Sequence, residues 1–167
     1  SLSDGSIAAG EACEISLMVR ATGFGDLTNT TSALTSTLPE AAAASADITV
    51  TSANAPGFTK SFTPDSIFQG ETTVLSFEID NSANAILIED IAFSDTFPDG
   101  LVVAPTPDVT SDCNGTITAN AGDGSMSLSD GSIAAGETCE ISLTVRATGF
   151  GDLTNTTSAL TSTLPEA

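Results

Sequence analysis

The side chains through which this chain could do chemistry are few: Cys13, Cys113 and Cys139, a single lysine at position 60, and 22 carboxylates. Thiols can form disulfides or act as nucleophiles. With no histidine, however, no Cys–His or Ser–His pair can be built, and a zinc site loses its commonest nitrogen ligand. Carboxylate pairs could serve a glycosidase, but a sugar cleft is usually lined with aromatics, and here the only aromatics are eight phenylalanines, which read as core. The residue types therefore point away from catalysis, and no enzymatic activity is expected.

Charge narrows the partners. Against the acids stand only Arg20, Lys60 and Arg146, giving a net charge of -19. Nucleic acid and anionic lipid carry the same sign and are not expected to bind. Hydrophobic residues make up 40% of the chain, enough apolar surface for a core, so the acidity does not imply disorder. No apolar run approaches the roughly 20 residues needed to insert a helix in a membrane.

The organisation of the chain is written in a repeat. Residues 1–41 return as residues 127–167, changed only at Ala12/Thr138 and Met18/Thr144. The offset suits one ordinary domain of about 100–150 residues rather than a solenoid unit. The expected organisation is tandem: residues 1–54 form the C-terminal part of a preceding module, and residues 55–167 a module lacking its last strand. Cys13 and Cys139 then occupy one position in successive modules, which leaves Cys139 as the natural partner of Cys113. A Cys113–Cys139 disulfide places the protein in an oxidising compartment, extracellular or at the cell surface.

Short apolar runs alternate with Ser, Thr, Gly, Asp and Asn, the pattern of an all-β domain rich in turns. Strands are expected at Phe58–Thr63, Thr72–Asp80, Ala85–Phe93 with a bend at Glu89-Asp90, Leu101–Val103, Thr116–Thr118, Ser125–Ser129, Thr138–Ala147 and Leu153–Leu164. Ala46–Ser52 reads as the closing strand of the preceding module. In Thr138–Ala147, Cys139, Ile141, Leu143 and Val145 alternate inward and Glu140, Ser142, Thr144 and Arg146 outward. Strands of this number and length make an immunoglobulin-like β-sandwich, repeated in tandem.

The segments Pro56–Ile67, GETTVLSFEIDN and SDTFPDGLVV, with the Cys113…Cys139 spacing and GDLTNTT, resemble the Ig-like tandem repeats of very large bacterial surface proteins. That resemblance implies secretion and a structural or adhesive role. Lys60 on the first strand and Asn155 on a late one, with Asp95 or Glu78 between, resemble the arrangement in collagen-adhesin-type pilin domains. There it implies an isopeptide bond assisted by a buried acid. The plainer reading makes Lys60 a guard of an edge strand against sheet-to-sheet aggregation.

Calcium is a candidate ligand at loop carboxylates, chiefly Asp99, Asp123 and Asp130, although no D-x-D-x-D-G run is present. Asn29, Asn114 and Asn155 begin N-x-T sequons, so glycosylation and cross-linking compete for Asn155. The leading expectation is a structural module of an extracellular filament, stalk or surface fibre whose partners are neighbouring copies. The alternative is an adhesive module that binds a surface carbohydrate or protein with or without calcium. A subunit assembled by strand donation is the third.

Overall fold

The computed structural model describes residues 2–164. The chain divides into two units, Ser1–Ser52 and Ala53–Ala167. All regular structure among the described residues is β.

In the first unit, β1 (Gly25–Thr30) pairs antiparallel with β2 (Ser45–Val50), with Thr28 opposite Asp47. The Thr28 hydroxyl donates to Asp47 and the Thr49 hydroxyl to Asp26, both at 2.7 Å, so side chains reinforce the ladder across its exposed face. Among the described residues ahead of Gly25, none forms a strand. The alanine run at 41–44 is not helical; Ala41 bridges to Leu34 instead.

The second unit is a sandwich of two antiparallel sheets. One runs β3 (Gly57–Thr63), β4 (Thr72–Asp80), β10 (Thr138–Ala147), β6 (Leu101–Val103), with the short β7 (Thr110–Ser111) also on β10. The other runs β11 (Thr156–Thr157), β5 (Ile88–Thr96), β9 (Ser125–Ile133), β8 (Thr116–Thr118). The period-2 alternation of β4 and β10 decides their faces. Leu75, Phe77 and Ile79 meet Leu143, Ile141 and Cys139 in register, and all six are buried. From the opposite sheet Ile88, Ile91, Phe93, Met126, Leu128 and Ile133 close the same core.

The strand expected at Ala46–Ser52 is Ser45–Val50, β7 has no expected counterpart, and three further strands depart from the sequence reading. β5 begins at Ile88 rather than Ala85, because Ile86 and Leu87 are exposed ahead of it. The bend foreseen at Glu89-Asp90 is a bulge between Ile88 and Ile91, with Asp90 at φ 53°. β9 runs on to Ile133 through Asp130-Gly131; the dipeptide resembles a turn but lies opposite that bulge, Gly131 pairing with Ile91. Leu153–Leu164 is not one strand. Only Thr156–Thr157 qualifies, because the Ser94 amide bonds to the Ser158 hydroxyl at 2.9 Å, interrupting the ladder until Ala92 and Thr161 resume it.

The phenylalanines divide likewise. Phe77, Phe93 and Phe97 are buried and Phe58 and Phe62 pack against the core, but Phe24, Phe68 and Phe150 are exposed.

Candidate functional site

Cys113 and Cys139 are bonded, with Cα atoms 4.9 Å apart and a sequence separation of 26. Cys139 is inward because it belongs to the apolar face of β10, and Cys113 follows β7, which pairs with that same strand. Beyond Cys113 the chain passes very close to β9. A Cβ at Gly115 would meet the Ser129 carbonyl oxygen at 2.5 Å, and φ there is 75°, so only glycine fits. Cys13 is free and exposed.

A second cluster lies between the sheets. On β3 the inward positions are Phe58, Lys60 and Phe62, so the lone lysine occupies a core-facing slot on a sheet edge. On β5 and the residue after it, the inward series Ile91, Phe93, Asp95, Phe97 places a carboxylate in line with three apolar side chains, and Asp95 is 0% exposed. Lys60 Nζ sits 3.4 Å from Asp95 Oδ1, its side chain only 16% exposed. Asn155, just ahead of β11, donates from Nδ2 to Asp95 Oδ2 at 2.7 Å. Its Oδ1 is buried and has no hydrogen-bond partner among the described residues.

The surroundings are aromatic. Phe58 and Phe77 each lie within 5.0 Å of Phe93, centroid to centroid, and Lys60 Nζ is 5.9 Å from the Phe77 ring. A cation at that distance is attracted by the ring face. The structure thus brings Lys60, Asp95 and Asn155 together. Glu78, the other acid considered, is on the exposed face of β4. Chemically the cluster holds an amine, an acid and a primary amide in one hydrogen-bonded chain, with little solvent on any member.

The loop carboxylates do not converge. Among the described residues the only grouping of three metal-ligand types is Asp112 with Cys113 and Cys139, and both sulfurs there are spent in the disulfide. Asp99, Asp123 and Asp130 form no such group. Asp123 instead accepts from Asn120 Nδ2 at 2.9 Å, closing the β8–β9 loop.

Sequence reasoning missed a buried asparagine network. Asn81 donates to the carbonyls of Ile86 and Ala134 at 3.0 and 2.9 Å and accepts from Asn84 Nδ2 at 2.9 Å. Asn84 Nδ2 also donates to the Asn54 carbonyl, and Asn84 Oδ1 accepts from the Asn54 amide at 2.7 Å. These three asparagines bind the start of the second unit to the loops after β4 and β9. Their only sequence signal was Asn at two positions flanking a loop.

Residues 1–50 and 56–167 match the family described as domain of unknown function DUF7933. The chain belongs to this family. No curated protein matches it. Among solved structures it is similar to the collagen-binding domain of the Erysipelothrix rhusiopathiae surface protein RspB, at 14% identity and a TM-score of 0.42, over 86% of this chain and 54% of that one. This chain thus spans about half of that domain structure, and a likeness so distant says nothing of what a DUF7933 chain binds. The DUF7933 match covers both the sandwich and the first unit.

Proposed function

We propose that this chain is a structural module of an extracellular filament, stalk or surface fibre, non-enzymatic, whose partners are neighbouring copies of the same module. The near-verbatim return of residues 1–41 at 127–167 carries this reading. A ligand-binding tip must differ from its shaft, whereas a shaft tolerates identical units. The disulfide supports an oxidising, extracellular setting. The net charge of -19 would hold parallel fibres apart at low ionic strength. Electron microscopy of the native material, labelled with antibody to the sandwich, tests it. The expected image is a beaded thread of regular axial spacing; isolated single particles on native material would sink the reading.

Adhesion to a surface carbohydrate or protein is favoured by one observation. A groove of about 410 Å³ opens among Phe62, Pro64, Ile67, Phe68, Phe150 and Leu153, with Phe68 and Phe150 exposed on it. Retention of the chain on glycan or matrix-protein arrays, lost in Phe68→Ser, would support adhesion in place of a purely structural role.

A further inference from the structure

We infer that Lys60 and Asn155 join in an intramolecular isopeptide bond, formed by the chain itself with Asp95 as the catalytic acid. Four observations converge on it. Lys60 points into the sandwich rather than into solvent. A fully buried carboxylate holds the lysine amine on one oxygen and the asparagine amide on the other. The amide oxygen is buried with no partner among the described residues. The walls are phenylalanine rings.

An edge-strand guard explains only the first of these. A lysine that merely discourages aggregation has no use for a buried acid or for an amide on the far side of it. Burial of one ion pair is also costly, and a neighbouring buried carbonyl without a donor adds to that cost. Bond formation removes both penalties, because the product is an uncharged amide.

The chemistry balances within the site. A proton passes from the Lys60 ammonium to Asp95, with which it is in contact, leaving a neutral amine and a neutral acid. A half-turn of the Asn155 amide about its last bond brings the partnerless Oδ1 to the new acid proton, which polarises the carbonyl. Nζ attacks Cγ, and the lone pair of the forming C–N bond displaces electrons onto Oδ1, stabilised by the Asp95 O–H. Asp95 relays a proton from the attacking nitrogen to the departing one. The Cγ–Nδ2 bond breaks and ammonia leaves. The product is a secondary amide, with Asp95 protonated; no oxidant or further reactant is needed. Preassembly on one carboxylate supplies the proximity that this slow reaction requires.

The bond would couple β3, the edge of one sheet, to the segment entering β11, the edge of the other. The inference rests on the site alone. Its failure would leave the fibre reading standing, and the converse holds.

The test is the intact mass of the reduced, unfolded chain, followed by peptide fragmentation. The expected mass is that of the sequence less one ammonia, with the loss mapped to a branched peptide joining Lys60 and Asn155. Lys60→Arg and Asn155→Ala should each restore the full mass, and Asp95→Asn should do so while still forming the Cys113–Cys139 bond. Asn114-Gly115 could lose ammonia by closing a succinimide, and fragmentation separates that product. Full mass in the unaltered chain, or a loss confined to Asn114, overturns the inference. Cross-linking that persists in Asp95→Asn overturns the role given to the acid.

Discussion

A 41-residue text appears twice in this molecule, changed at two positions, and its described residues take two structures. In the second unit Ile141, Leu143 and Val145 are 0%, 1% and 0% exposed, at the centre of a ten-residue strand. In the first unit their counterparts Ile15, Leu17 and Val19 are 64%, 76% and 82% exposed and belong to no strand. Alternation is thus a permission to form a strand and not a cause. β10 exists because β4 pairs along nine of its residues and β6 and β7 flank its other side. Residues 13–21 have no such neighbours among the described residues. The next stretch differs as well: Gly25–Thr30 pairs along its whole length with Ser45–Val50, whereas in the matching 151–156 stretch only Thr156 is in a strand, opposite Thr96 on β5.

The comparison can be broken most forcefully by truncation. Leu143→Ala should cost about 2–5 kcal/mol in urea unfolding, as expected for a buried leucine in a filled core, whereas Leu17→Ala should change stability by less than about 0.5 kcal/mol. Equal effects would show that the first copy is packed as the second is. Hydrogen exchange can follow both copies in one sample, since the substitutions at Ala12/Thr138 and Met18/Thr144 give their peptides different masses. Amides of 139–145 should be protected and those of 13–19 should exchange freely.

The cysteines come next. Cys139→Ser should cost roughly 3 kcal/mol for a loop of this length, and Cys13→Ser nothing measurable. A maleimide should label Cys13 alone in the native chain, since Cys113 and Cys139 are bonded. A gentler probe is Thr144→Met, which writes the first copy's residue into the second. Thr144 is half-buried on the outward face, so the shift should stay within about 0.5 kcal/mol.

The smallest effect lies beside the repeat, at Asp80, opposite Thr138 in register. Hydrogen bonds from Ser82, the side chain foremost and then the backbone amide at 2.7 Å, hold its carboxyl below the ordinary range. A lowered folded-state value means the contribution is complete above the usual carboxylate pKa of about 4 and fades as pH falls through the lowered one. Asp80→Asn should therefore flatten only the acid limb of the stability profile, visible in melts below that pH.

Much of the sandwich was legible because side-chain period and strand length are local properties. Thr72–Asp80, Leu101–Val103, Thr116–Thr118 and Thr138–Ala147 have the bounds that their alternation implies. What was not legible depended on a partner. Asp130-Gly131 reads as a turn until the bulge at Asp90 is seen across from it. The Leu153–Leu164 run fails at Ser158 because a hydroxyl takes the place of a backbone acceptor, a choice the letters do not record. The meeting of Lys60 with Asp95 and Asn155 was implied only by the resemblance to collagen-adhesin-type pilin domains, since the scarcity of lysine names no partner. The choice of Asp95 over Glu78 needed the pleat of β5, which turns one acid inward, and of β4, which turns the other out. Phe68 and Phe150 looked like core and are not, because each sits in a loop beyond the last inward position of its neighbouring strand.

One mechanical consequence follows from where Lys60 sits. It lies on the first strand of the sandwich, and Asn155 on the stretch leading into the last, and Asp95 contacts both, so the proposed bond would join the two ends of the unit almost directly. With the proposed Lys60–Asn155 bond in place, tension would bypass the inter-strand ladders in between, and the body of the sandwich would remain slack while this short bridge takes the strain.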